Sequence, residues 1–356
     1  MAVEDLYRPY RPKRRTRATI AKEKGLEPLA AFIMLQKTKE PLEKTAVEYV
    51  SEEKEVKTPE EAIQGAADII AESISDNADY RTWIRNTTAK KGKIISSAKE
   101  PEAESVYEMY YEFEEPVAKL AGHRVLALNR GEKEKFLTVK VEAPEEDIIR
   151  YLEKKTIRTD NPYTTPVLKA VVADSYQRLI APAIEREIRN ELTEKAEDGA
   201  IEVFGKNLHQ LLMQPPITGR VVLGWDPAFR TGCKLAVVDP TGKVIGTTVI
   251  YPTAPTTPQK IKASKDLLKK IIPKYHISLI SLGNGTASRE SEQFIVELLK
   301  EIPEEKVQYV IVNEAGASVY SASKLASEEF PKFDVGQRSA ASIARRLQDP
   351  LAELVK

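Results

Sequence analysis

The feature that most constrains this chain is a change of texture close to residue 217. Beyond it, the runs Val221-Val222-Leu223-Gly224-Trp225, Lys234-Leu235-Ala236-Val237-Val238 and 244–251 are rich in β-branched residues. Turn residues at 227–232 and at Asp239-Pro240-Thr241-Gly242 separate them, which predicts three strands joined by two antiparallel hairpins. A Pro/Thr-rich loop at 252–258 leads into a helix ending near Ile272, a strand-like run at 277–282 and a helix over 288–301. A strand over 307–312 and a last helix over 339–347 complete the pattern. Parallel strands need crossovers, and crossovers carry helices, so this order predicts a mixed α/β sheet covered on both faces.

Before residue 217 the pattern is helical. Thr58-Pro59 has the form of an N-cap and a first helical position, and Glu60, Glu61, Ala62, Ala66, Ala67, Ile69, Ile70, Ile74 and Ile84 follow at the spacing of an apolar stripe. A second helix is expected from about 105 to 124. A third is expected from about 165 to 195, where Val167, Val171, Tyr176, Ile180, Ile184 and Ile188 recur at helical spacing. The alternating segment 136–141 is the one strand expected here, and prolines at 101, 116, 144 and 162 mark joints. The chain thus divides into a mainly α region, 1–217, a mixed α/β domain, 218–349, and a short tail, 350–356.

Composition narrows the function classes. A single cysteine, Cys233, excludes an intrachain disulfide framework and any cysteine-based zinc cluster, and it fits a reducing compartment. No apolar run approaches the roughly 18 residues of a membrane span, and no apolar stretch follows the early basic residues as in a secretory signal, so a cytoplasmic protein without membrane contact is expected. Lys and Arg number 54, as do Asp and Glu, but the balance is uneven: residues 1–24 hold eight bases and three acids. Within 7–17, Arg8, Arg11, Lys13, Arg14, Arg15 and Arg17 are interleaved with two tyrosines and two prolines and no acid. Such a segment is suited to neutralising nucleic-acid phosphates, and equally to bracing the chain's own acidic helices.

The strand order is the one found in ribonuclease H-like domains, with Gly224-Trp225-Asp226-Pro227 at the end of the first strand and Arg230-Thr231-Gly232 after it. Those residues, together with the basic segment 6–18, Gly283-Asn284-Gly285-Thr286-Ala287-Ser288-Arg289-Glu290, the segment 312–322 and Ala344-Arg345-Arg346-Leu347-Gln348-Asp349-Pro350, resemble the bacterial Tex family of transcription accessory proteins. The resemblance implies a central fragment: a helical scaffold followed by a YqgF/RuvC-like ribonuclease H-fold domain. In the family these are followed by helix-hairpin-helix elements, which residues 350–356 are expected to begin, and an OB-fold RNA-binding domain, so the chain is expected to be truncated at both ends. The implied partners are RNA or DNA and the transcription machinery, while the oligomeric state is left open.

Active members of the RuvC branch need carboxylates that converge on two divalent ions flanking the scissile phosphate. Asp226 matches the first acidic position and Glu314 a later one, as catalytic residues and as Mg or Mn ligands if the domain cuts. Asn284 stands where a carboxylate is expected, and the last helix begins Gln337-Arg338-Ser339 where another acid belongs. Asp349 lies about 15 Å further along that helix at 1.5 Å per residue. The expectation is therefore a catalytically degenerate domain in a nucleic-acid-binding factor, with no cofactor. A metal-dependent nuclease is one alternative, and a scaffold whose RNA affinity resides in further domains is another.

Other constellations point to ordinary structure. The glycine-rich turn 283–286 offers amides to a phosphate, but such turns more often use glycine for positive φ. His123, His209 and His276 have no partner at metal-ligand spacing. Tyr107, Tyr110, Tyr111 and Phe113 are interleaved with glutamates and are expected in the core rather than against bases. Residues 226–232 have a loose likeness to the first phosphate loop of actin-like ATPases, yet no second phosphate loop follows.

Overall fold

The structure is a computed structural model describing residues 2–10 and 15–356. Its contacts separate two compact units, Met1–Glu202 and Val203–Lys356. No helix among the described residues is long and apolar enough to cross a membrane.

In the first unit the expected helix is Pro59–Asp76, with Thr58 as N-cap accepting from the Glu61 N–H and Pro59 at the first position. Its buried stripe, Ala62, Ala66, Ile70, Ala71 and Ile74, packs on the helices Arg17–Glu23, Glu27–Leu35, Leu42–Ala46 and Thr165–Asp174. The helix expected from 165 is also present. It passes through a π-helical turn, Ser175–Ile180, into the helix Ala181–Leu212.

The helix expected over 105–124 does not form. That stretch instead holds a short 3-10 turn, Glu108–Tyr110, and the strand β2, Glu112–Pro116. β2 lies antiparallel to β1, Lys93–Ala98, whose other edge pairs with β3, Leu137–Glu142. The strand expected at 136–141 is thus one of three. Glutamate favours helix only weakly, and the pairing of 112–116 with β1 overrides it: Phe113 is half-buried between exposed Glu112 and Glu114, and Pro116 closes an edge strand. Tyr107 and Tyr110 are core residues as expected, though not on a helix.

A buried ion network ties three separate helices of this unit together. Arg81 and Arg85, one turn apart on the helix Ala78–Lys91, reach Asp5 on the helix Ala2–Tyr7 at 2.8 and 2.7 Å and also pair with Glu187 of the helix Ala181–Leu212. Arg81 is 0% and Asp5 3% exposed. Burial alone would push the Asp5 carboxyl up, but hydrogen bonds from Arg81 and Arg85 hold it below the usual carboxylate range. A depressed acid stabilises the fold above its unfolded pKa and loses that contribution as the pH falls through its lower folded value.

The second unit is a five-stranded sheet of order β6-β5-β4-β7-β8. Its strands are β4, Val222–Asp226; β5, Cys233–Val238; β6, Val244–Ile250; β7, Leu279–Gly283; and β8, Gln308–Val312. β4, β5 and β6 are antiparallel neighbours, whereas β4, β7 and β8 run parallel, as expected for a ribonuclease H-like sheet. Leu223 and Trp225 face the helices Pro258–Tyr275 and Ser288–Glu301 through Leu268, Ile272, Phe294 and Leu298. Val222, Gly224 and Ala236 face the opposite way, against the helix Val335–Gln348. That last helix begins earlier than residue 339 because Asp334 caps it, accepting from the Gln337 N–H while the Gln337 side chain accepts from the Asp334 N–H.

Gly224 sets the separation on that face. A Cβ there would stand 2.0 Å from the Ala340 carbonyl oxygen and 2.8 Å from the Ala344 Cβ. Gly224→Ala is accordingly expected to cost about 1–3 kcal/mol or more by overpacking against helix backbone. It should appear as a lower urea midpoint of the α/β unit, while Gly199→Ala, where nothing lies within 4 Å, leaves the midpoint unchanged or raises it. Asp5→Ala should cost about 3–5 kcal/mol because two buried guanidinium groups lose a shared carboxylate. Its unfolding should accordingly show a weaker dependence on acid between pH 5 and 2 than the parent.

Candidate functional site at the strand ends

Because β4, β7 and β8 are parallel, their carboxyl ends lie together at one edge of the sheet, the usual place for a ligand on such a fold. Asp226 is the last residue of β4, Asn284 follows β7 and Glu314 follows β8. The two acids singled out in the sequence are thus brought together, and each raises the question of what balances its charge.

Asp226 lies on the sheet face that carries the helix Val335–Gln348. Burial pushes its carboxyl up, to about 6, and the nearby Glu314 charge adds to this; a hydrogen bond from Ser339 and the charge of Lys234 act the other way. Lys234 is its cross-strand partner on β5, with Nζ held by the Thr231 hydroxyl at 2.6 Å.

Glu314 is positioned by Asn284. The Asn284 N–H donates to the Val312 carbonyl at 3.0 Å, and its side-chain oxygen accepts from the Glu314 N–H at 3.1 Å. The Glu314 carboxylate then occupies the space over the turn: a Cβ on Gly283 would meet Oε2 at 2.2 Å, and one on Gly285 would meet Oε1 at 1.7 Å. Neither glycine has a positive φ, so they are required here for room and not for backbone conformation. The turn that offered amides to a phosphate is filled by a carboxylate instead.

Arg346, one helical face with Ser339 and Ile343, lies behind Glu314 and donates to the Asn313 carbonyl at 2.6 Å. Burial draws its pKa down, opposed by the charges of Glu353 and Glu314. Glu314 Oε2 itself is enclosed and accepts no hydrogen bond. Asp349 takes no part, since it caps the helix Pro350–Leu354 by accepting from the Ala352 N–H at 3.1 Å.

The donor set fits two metal ions poorly. Among the described residues no three His, Cys, Asp or Glu side chains converge as ligands. Asp226 and Glu314 supply two carboxylates, Asn284 spends its oxygen on a backbone amide, and Ser339 stands where the last helix would present an acid. The arrangement suits at most one cation between Asp226 and the orphaned Oε2 of Glu314.

In the first unit the described residues of the basic segment face acids of their own chain. Arg8 bonds Asp76 at 3.2 Å, Arg15 bonds Glu23 at 3.0 Å, and the charge of Arg17 acts on Asp68 and Asp174. Arg11, Lys13 and Arg14 lie outside the described residues.

Sequence reasoning did not single out Lys234, Ser339 or Arg346 as parts of the site. In the sequence Ser339 stands only where an acid belongs, and the 339/343/346 spacing on the last helix is the available signal.

A helical region followed by a mixed sheet with carboxylates at its parallel strand ends defines a protein of the YqgF-like ribonuclease H class. Residues 220–348 match the family described as Tex protein YqgF-like domain, and residues 36–204 match Tex central region-like. The chain is 58% identical to the uncharacterized protein YdcI of Bacillus subtilis over 99% of its length and 49% of the relative's. It is 38% identical to the transcriptional accessory protein Tex of Neisseria gonorrhoeae, covering 100% of the chain and 47% of that protein. It is 36% identical to the human S1 RNA-binding domain-containing protein 1, over 99% of the chain and 37% of that protein. The chain belongs to the Tex family, and it spans about half the length or less of these relatives.

An acid whose folded pKa is raised destabilises the fold where it is ionised: the penalty is absent below its unfolded value near 4 and complete above about 6. Asp226→Asn is therefore expected to stabilise the α/β unit by about 1–3 kcal/mol at pH 7.5 and by almost nothing at pH 4. Thermal melts in EDTA at the two pH values measure the difference, and equal effects at both would contradict it.

Proposed function

We propose that this chain acts as a nucleic-acid-binding transcription accessory factor in which the ribonuclease H-like domain has lost cleavage and serves as structure. The observation that carries this is the loss of the third carboxylate at the strand ends. Asn284 replaces an acid and is committed to positioning Glu314, while Ser339 and Lys234 attend to Asp226 and the charge of Arg346 acts on Glu314. Two catalytic metals each need carboxylate ligands on both sides of a scissile phosphate, and two acids are too few. Membership of the Tex family, and the names of relatives as a transcriptional accessory protein and an S1 RNA-binding domain-containing protein, support RNA or DNA and the transcription machinery as partners.

A second reading is favoured by one observation, the enclosed and unpartnered Oε2 of Glu314 beside Asp226. A single Mg or Mn held by these two residues would supply a Lewis acid there, and the domain would cut.

Binding to single-stranded RNA, single-stranded DNA and a four-way junction, measured against salt with and without manganese, separates the readings. The expected outcome is salt-sensitive binding and no cleavage. Replacing Arg14, Arg15 and Arg17 together should flatten the log–log salt slope by about 2, at roughly 0.7 per single-strand phosphate contact. Manganese-dependent cutting that vanishes in Asp226→Asn would replace this reading with the nuclease. An absence of all binding would assign the affinity of the longer relatives to the parts this chain does not span.

A further inference from the structure

The π-helical turn Ser175–Ile180 borders a cavity of about 270 Å³ within the first unit, distant in sequence from the strand-end residues of the other. A π turn inserts one residue into a helix and displaces the side chains around it, and such turns recur at binding sites. Here it brings Tyr176 and Gln177 into the cavity wall opposite Thr88, with Glu142, Glu145 and Glu185 completing the polar lining and Ile84 and Ile184 the apolar part.

Three independent observations give this cavity a chemistry. Thr88 is 2% exposed, and its hydroxyl has no hydrogen-bond partner, a costly state for a polar group in a protein interior. Among the described residues no base lies within ion-pairing distance of Glu142, Glu145 or Glu185. Glu145 accepts from Gln177 Nε2 at 3.0 Å and Glu185 from the Val141 N–H at 2.9 Å, while Glu142 stands across the strands from Lys93 and acts on its charge without a close ion pair. The lining contains no Lys, Arg or His. Finally, the Tyr176 phenol is pushed up to about 12, first by burial and then by the charges of Glu145 and Glu185, which reports a negative field reaching the cavity floor.

We propose that this cavity binds a short alkylammonium group, its methylenes against Ile84 and Ile184 and its N–H donors shared among the carboxylates and the hydroxyls of Thr88 and Tyr176. Acceptors predominate in the lining and no cation is part of it, so the ligand must bring donors and positive charge; the apolar wall and the volume call for a few methylenes behind them. Two sources share that chemistry, a free diamine and the side chain of a lysine.

Isothermal titration of the whole chain tests this with putrescine, with the amide-capped lysine N-acetyl-lysine methylamide, and with 1-butanol as the uncharged control. Saturable one-to-one binding of an amine is expected and none of butanol; whichever amine binds more tightly names the source. Thr88→Val keeps the side-chain shape and removes the unpartnered hydroxyl, so the free variant should melt at the parent's temperature or above while its amine affinity falls about tenfold or more. Glu185→Gln should lower the affinity similarly, and Glu153→Gln, outside the cavity, should not. Failure of both amines to saturate, equal binding by butanol, or parental affinity in both Thr88→Val and Glu185→Gln would overturn the proposal.

Discussion

The α/β unit depends on one close approach, the seating of the helix Val335–Gln348 directly on the backbone of β4. With Gly224 beneath it and Ala236 beside it, the helix meets the sheet through Ala340, Ala341 and Ala344, none of which holds it off. Sheet and helix backbones pressed this closely cannot slide without collision, so the rotation of the helix is fixed as well as its height. That rotation puts Ser339 against Asp226, Ile343 against the turn after β7 and Arg346 behind Glu314. The strand-end site is thus assembled by small residues that touch no ligand themselves.

The two units treat buried charge in opposite ways. Asp5, Arg81, Arg85 and Glu187 form a network in which each carboxylate meets two guanidinium groups at hydrogen-bond distance, and the result is a depressed Asp5. At the strand ends, Asp226 and Glu314 face each other across incomplete compensation, and Asp226 is raised. A fold retains such a liability only where its surroundings over-determine it, and perturbed carboxylates of this kind are what binding sites present. The asymmetry marks Asp5 as part of a brace and makes Asp226 the candidate for binding.

Much of the fold was legible because it rests on short-range signals. β-branched runs between turn residues marked β4 to β8, and Thr58-Pro59 marked the start of its helix. β1 and β2 were not legible, since their pairing partners lie between 15 and 49 residues away and Glu112-Phe113-Glu114-Glu115 carries no local strand preference strong enough to announce it. At the site, the resemblance to the RuvC branch singled out Asp226 and Glu314, and the structure places them at and just beyond the ends of β4 and β8. Lys234, Ser339 and Arg346 were not singled out, because each acquires its role from cross-strand register or helix rotation, and both are tertiary quantities. The glycines at 283 and 285 were visible but misassigned: the turn suggested backbone freedom, whereas the structure requires volume for a side chain that arrives from β8.

Asn284 shows why the strand-end site is stable as it stands. A carboxylate in its place would still accept the Glu314 N–H, so the backbone arrangement does not exclude one. It would, however, add a third negative charge beside Glu314 and Asp226, in a setting where burial and then the Glu314 charge already hold Asp226 near 6. Only bound cations would balance such a triad, and a nuclease accepts that instability because metal binding repays it. With an amide at 284 the repulsion stops at one pair, within the reach of a serine hydroxyl, Lys234 and Arg346. On the proposed reading, an amide at 284 both withholds a charged metal ligand and spares the fold the need for a metal to balance one.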